Sequence, residues 1–180
     1  RYIEQARDQA PDFQCVRQGG SSFEALSKLL FGKGLAKLGF ESETLIFKEY
    51  QDLSRALTNI ELVPTRGLVE ELRIIKEECE LEKIQKAAQI GDEAFEHILQ
   101  FIRPGFTERD VAVEFECILR RLGGEKSSFE IIVASGQRGA LPHGVASDKV
   151  FSLGELVTVD FGVMYQGYAS DCTRTLALGV

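Results

Sequence analysis

The chain has 180 residues, 44% of them hydrophobic and 27% charged, with a formal net charge of -7 and a pI near 5.0. That is enough apolar material for one full domain or parts of two, and the acidity argues against nucleic acid or an anionic membrane as partner. No apolar run approaches the roughly 18 residues of a membrane span, no signal-peptide pattern opens the chain, and Cys15, Cys79, Cys117 and Cys172 form no Cys-x-x-Cys pair; neither a zinc motif nor a disulfide framework is indicated, and the cytoplasm is the expected setting.

From residue 1 to about 66 the pattern alternates between helix and strand. A short segment at Tyr2 and Ile3 is followed by an amphipathic helix over 22–38 stopped by Gly39, a strand at 44–47, a helix over 50–57 and a strand at 60–63. This βαβ-like order predicts an α/β unit. Gly19-Gly20-Ser21-Ser22 lacks the lysine and the spacing of a phosphate loop and reads as a turn before a helix. Pro64-Thr65-Arg66-Gly67 reads as a linker, and residues 67–180 as a second unit.

That unit opens with a long helix over 68–102, broken near Ile75. Ile84, Ala87, Ala88, Gly91, Phe95, Ile98 and Ile102 recur at three- and four-residue spacing and predict its buried stripe. The charged run from Glu70 to Glu82 reads as a solvated face, and His97 as a helix residue without chemistry. Pro104-Gly105 ends the helix. Thr107 as N-cap, Asp110 three residues on, and Phe106 with Val111 as a hydrophobic staple predict the next helix, which runs to Leu122 and stops at Gly123-Gly124. Three antiparallel strands follow, over 128–133, 156–165 and 168–178.

The last two strands carry the candidate chemistry. Alternation across Val157, Val159, Phe161, Val163 and Tyr165, then Gln166-Gly167, then a second β-rich run suits a hairpin with a tight turn. With Tyr165 opposite Tyr168, Asp160 faces Thr173 and Asp171 faces Gly162. The two carboxylates become diagonal neighbours on one face, with Cβ atoms about 7 Å apart, and Gly162 leaves open space opposite Asp171. Carboxylates this close repel unless a cation lies between them or one takes up a proton. Hard oxygen donors suit one divalent ion or two bridged ions. Thr158, Thr173 and Thr175 beside them predict a small, polar, sheltered surface; the alternative is a solvent-facing hairpin with two ordinary aspartates.

Three motifs in order give a family resemblance: Leu72-Arg73-Ile74-Ile75-Lys76-Glu77 with Glu80, then the run from Ser135 to Pro142-His143-Gly144, then Asp160-Phe161-Gly162 with Ser170-Asp171-Cys172-Thr173-Arg174-Thr175. Together they resemble the Xaa-Pro peptidase branch of the pita-bread metallopeptidases, whose relatives include prolidase, aminopeptidase P, methionine aminopeptidase and creatinase. The resemblance implies an α/β creatinase-type N-terminal domain, of which residues 1–66 are the C-terminal part, and an α+β first half of a pita-bread catalytic domain over 67–180. It implies that Asp160 and Asp171 are metal ligands, with Asp171 bridging two ions and Asp160 binding one. It implies that His143 lies beside the metals and contacts the substrate or its tetrahedral intermediate, a role suited to an imidazole in a shaped loop.

Family members complete the site with a histidine and two glutamates from the second half of the domain. Those lie beyond this sequence; residue 1 is Arg and the only methionine is Met164. The chain is therefore expected to be an internal fragment that is inactive alone and binds metal weakly. The expected activity of the parent is that of a metallo-exopeptidase, using two divalent ions to hydrolyse peptides with proline at the second position. Manganese is expected first, with cobalt or zinc as alternatives, and the parent is expected to be a cytoplasmic homodimer. These residues do not separate a dipeptidase from an aminopeptidase. Two other classes compete: a metal-free creatinase-type C–N hydrolase, expected to lack one or both aspartates, and a non-catalytic pita-bread module that binds protein, expected to have lost the ligands and the loop histidine.

Overall fold

A computed structural model describes residues 2–179, which divide into two compact units on either side of the Ile75–Lys76 bond. In the first, α1 (Ile3–Gln9) and α2 (Ser22–Leu30) precede β1 (Lys37–Glu41), α3 (Phe47–Ala56), β2 (Glu61–Thr65) and α4 (Leu68–Ile74). The strands pair in parallel, Lys37 opposite Glu61 and Glu41 opposite Thr65, with α3 as the crossover between them. Two expectations shift here. Helix α2 stops well short of Leu38 because Gly32 and Gly34 take φ of 76° and 66°, and Leu38 and Gly39 belong to β1. No strand forms at 44–47; the chain turns there, with Leu45 N donating to Glu41 O at 3.0 Å, and Phe47 starts α3. Strand β2 runs on through Pro64, tolerable in a two-stranded sheet where half the N–H groups point away from the partner. Leu53 and Leu57 are the buried side chains of α3 and its C-cap.

In the second unit, α5 (Glu78–Phe101) and α6 (Glu108–Arg121) pack on a bent antiparallel sheet. The expected break near Ile75 is present, and Glu77 with Glu80 forms a capping box that starts α5, Glu77 N donating to Glu80 Oε2 at 2.8 Å. Its buried face is Ala87, Ile90, Gly91, Ala94 and Ile98. Ala88, expected in that stripe, is exposed, because the 3–4 spacing is satisfied one residue earlier, at 87, and then by Ile90 and Ala94. Thr107 caps α6 as expected: Thr107 N donates to Asp110 Oδ2 at 2.8 Å, and Asp110 N donates to Thr107 Oγ1 at 3.1 Å.

The strands are β3 (Lys126–Ser127), β4 (Ile132–Ser135), β5 (Leu156–Phe161), β6 (Val163–Tyr165), β7 (Tyr168–Ala169) and β8 (Cys172–Ala177). They form two short sheets, β3-β6-β7 and β4-β5-β8. The strand expected at 128–133 is thus replaced by β3 and β4, and the long final hairpin bends at Gly162. Val157, Val159 and Phe161 point into the core; Phe161 lies 4.6 Å from Phe115 and 5.6 Å from Phe95, centroid to centroid. Gly91 permits this contact, since a Cβ there would meet the Phe161 ring at 3.2 Å. His97 Nε2 donates to Glu114 Oε1 of α6 at 2.9 Å and stacks near Phe101, a link between helices.

Candidate metal centre

The register of the hairpin is the one the sequence predicts. Tyr165 pairs with Tyr168, Met164 with Ala169, Phe161 with Cys172 and Asp160 with Thr173. It is pinned by the turn, where Gln166 and Gly167 take φ of 47° and 81°, the two positive values of the hairpin turn whose twist matches the strands. Strand alternation on this register puts Asp160 and Asp171 on one face of the hairpin. Thr173 Oγ1 donates to Asp160 Oδ1 at 2.6 Å, which leaves the second oxygen of Asp160 open. Asp171 is exposed and, among the described residues, has no hydrogen-bond or ion-pair partner.

Gly162 does not leave open space. A Cβ there would fall inside 3.0 Å of the Ser170 carbonyl oxygen and of Ser128 Oγ, and 3.0 Å from Phe129 Cε1. The cause is a local opening of the ladder. Ser170 N donates to Val163 O at 2.9 Å, but the return bond from Val163 N goes to Ser170 Oγ at 3.1 Å. The Ser170 carbonyl instead accepts from Ser128 Oγ at 2.9 Å, and Ser170 Oγ donates to Ala87 O at 3.2 Å. The serine before Asp171 thus bends the strand and ties it to α5. The expected sheltered surface is sheltered in part: Thr158 and Asp160 are half-buried, while Asp171, just before β8, and Thr173 and Thr175 on that edge strand are exposed.

His143 lies in the loop that follows the 3₁₀ turn Gly136–Ala140. This loop folds back over the Asp160-bearing face. Gly139 sits where a Cβ would be 3.4 Å from Thr158 Oγ1, and Gly144 where one would be 3.0 Å from Ala134 Cβ. Val145 bridges Ile132, which pairs with Asp160, so backbone positions follow the order Val145, Ile132, Asp160, Thr173 across the sheet. The topology brings the His143 loop to the same face as the two aspartates, with the His143 side chain exposed.

Sequence reasoning missed the group that holds this loop. Glu108, the first residue of α6, is fully buried. Its Oε1 accepts from Ser135 N (2.8 Å) and Ser135 Oγ (3.0 Å), and its Oε2 from Arg138 Nε (3.0 Å), Ser147 N (3.1 Å) and Ser147 Oγ (2.6 Å). Lys149 Nζ continues the network to Ser135 Oγ at 2.7 Å and to both oxygens of Glu155 at 2.8 Å. Burial pushes the Glu108 carboxyl up, yet the hydrogen bonds from Ser147 and Ser135 outweigh it and hold the group below the ordinary glutamate value. Nothing local marks Glu108 in the sequence beyond a carboxylate in the first turn of a helix, a common surface pattern.

A βαβ unit followed by two helices on a bent antiparallel sheet is a creatinase-type N-terminal domain in part, followed by the first half of a pita-bread catalytic domain. Residues 82–180 match the family described as Metallopeptidase family M24, and residues 1–75 the Creatinase/Prolidase N-terminal domain. The chain belongs to metallopeptidase family M24. It is 46% identical over 179 residues to an uncharacterized peptidase, YqhT, of Bacillus subtilis (strain 168), covering 99% of this chain and 51% of that one. The Xaa-Pro dipeptidase from Bacillus anthracis superposes with a TM-score of 0.92 at 50% identity, over 99% of this chain and 50% of its own. The X-Pro aminopeptidase from Thermotoga maritima does so at 0.89 and 33% identity, over 98% and 51%. The chain spans about half the length of these relatives.

Family membership implies divalent metal ions. The carboxylate pair fits them in chemistry, two hard oxygen donors on one face, but not in number. Among the described residues no group of three or more His, Cys, Asp or Glu side chains could hold a metal ion.

Proposed function

We propose that the full-length protein is a metal-dependent exopeptidase that cleaves the bond between an N-terminal residue and proline, with residues 1–66 closing its N-terminal domain and 67–180 forming the first half of its catalytic domain. The observation that carries this reading is the hairpin register that sets Asp160 and Asp171 on one face, with the His143 loop folded over the same sheet. Asp160 and Asp171 would hold two divalent ions, manganese by preference, together with ligands outside this chain. When bound, such ions supply Lewis acidity and an acidified water for amide hydrolysis. Thr173 orients Asp160 by occupying one of its oxygens, so that the other faces outward. His143 donates a hydrogen bond to the oxyanion that develops on the scissile carbonyl. Both aspartates and the loop histidine are present, which favours this reading over a metal-free hydrolase or a non-catalytic module. A cytoplasmic setting accords with four free cysteines and with the absence, among the described residues, of a helix long and apolar enough to cross a membrane.

The test is a manganese titration by calorimetry and an assay with an Xaa-Pro dipeptide and a longer Xaa-Pro peptide, both on the full-length protein. Asp171→Asn should abolish metal binding and turnover, and Glu70→Gln should leave both unchanged. Full activity in the Asp171 variant would sink the metal assignment, and the ratio of rates on the two peptides separates dipeptidase from aminopeptidase.

A further inference from the structure

We propose that Glu108 is the positioning residue of the His143 loop, its buried carboxylate setting where the imidazole stands beside the Asp160–Asp171 edge. This rests on the reading of that edge and of His143 as a peptidase site. All five donors to Glu108 come from the loop itself: two from Ser135, where β4 ends; one from Arg138, in the 3₁₀ turn; two from Ser147, where the loop leaves. One side chain therefore clamps both stems and the middle. Arg138 extends the clamp, since its Nη2 donates to Val145 O at 2.6 Å, two residues beyond His143.

Between these anchors the loop is held by few bonds, Leu141 N to Arg138 O (3.0 Å), Gly144 N to Leu141 O (3.3 Å) and Val145 N to His143 O (2.9 Å), and by the bridge of Val145 to Ile132 on β4. The His143 side chain is exposed and, among the described residues, has no hydrogen bond of its own, so its place is inherited from the clamp and from the Val145–Ile132 bridge that the clamp steadies through Arg138. A carboxylate suits the task where an apolar residue would not. It accepts at about four lone-pair sites at once, and its buried charge is offset by Arg138 and by the N-terminal dipole of α6.

The test uses the full-length protein with manganese and an Xaa-Pro dipeptide, and the variants Glu108→Gln, Ser147→Ala, His143→Ala and Glu108→Gln with His143→Ala. The readouts are kcat, KM and hydrogen–deuterium exchange. Glu108→Gln turns an amide donor towards Arg138 and Ser147; kcat should fall about 100-fold, the scale of a small misplacement of a reacting group, while KM changes little. Exchange should rise across residues 135–147 while α6 keeps its protection. The double variant should be no slower than His143→Ala alone, because the two act through one imidazole. Ser147→Ala, a milder cut, should cost about tenfold in kcat, the worth of one hydrogen bond to a charged group, and carries the same readouts where Glu108→Gln does not fold. Unchanged exchange over 135–147, or losses that multiply in the double variant, overturns the positioning role. A wild-type protein that cleaves no Xaa-Pro peptide overturns the peptidase reading instead, and the exchange data still decide whether Glu108 holds the loop.

Discussion

Gly162→Ala should damage the candidate metal edge without touching a ligand. The new Cβ would fall inside 3.0 Å of the Ser170 carbonyl oxygen and of Ser128 Oγ. Neither neighbour yields easily. Ser170 is bound through its N and Oγ to Val163 and Ala87, and Ser128 holds both Ser170 O (2.9 Å) and Gly162 O (3.1 Å). Relief means breaking the Ser128–Ser170 bond, about 1 kcal/mol, on top of an overpacking cost of about 1–3 kcal/mol. The sum of about 2–4 kcal/mol corresponds to a fall in Tm of about 5–15 °C. Because Asp171 follows Ser170 directly, manganese affinity of the full-length protein should fall in parallel. Denaturant melts followed by circular dichroism, paired with calorimetric titration, measure both. A stability loss below about 0.5 kcal/mol with unchanged metal affinity would refute the crowding described at this bend.

Phe161→Ala removes a ring that is 1% exposed and packed on Phe95 and Phe115, so a loss of about 3–5 kcal/mol is expected in the same melts. Thr107→Ala removes the reciprocal cap of α6 and should cost about 1 kcal/mol. Acidification should destabilise the second unit. Hydrogen bonds hold Glu108 below its ordinary value of 4.5 against the opposing push of burial, and the hydrogen bond from Lys149 does the same for Glu155. Carboxylates depressed in the folded state contribute stability that is complete above their unfolded values and is lost as pH falls through the folded ones. The urea midpoint should therefore drop below about pH 4.5, and Glu108→Gln should flatten that dependence; an unaltered slope in the variant would contradict the assignment.

Local chemistry explains which elements could be read in advance. The start of α6 was legible because Thr107 and Asp110 satisfy each other's backbone groups within one turn; Glu77 and Glu80 repeat that arrangement at the start of α5, where a run of charged residues reads only as a solvated face. The end of α2 was not, since Gly32 and Gly34 mark a stop only once they adopt positive φ, while the hydrophobic spacing runs on past them into β1. Whether Lys37–Glu41 becomes helix or strand depends on β2, which lies far along the chain and supplies its hydrogen-bond partner. Ala88 was misplaced for a related reason. Two adjacent alanines fit the same spacing, and only contact with the sheet decides that Ala87 faces inward.

The candidate site divides along the same line. A two-residue turn sets the register of every pair in the hairpin, so the placement of Asp160 and Asp171 on one face follows from Gln166-Gly167 and strand alternation alone. The occupancy of the space at Gly162 does not follow, because Ser128 arrives from a different strand and Ser170 departs from the ladder to meet it. Glu108 lies further still from prediction: its partners are 27, 30 and 39 residues away, and no periodicity links a helix start to two serines and an arginine in a later loop. What separates a buried clamp from a surface carboxylate is the convergence of five donors, and that convergence arises only when α6 docks on β4. A loop histidine can therefore be proposed from its motif, while the carboxylate that binds both stems of its loop becomes visible only in three dimensions.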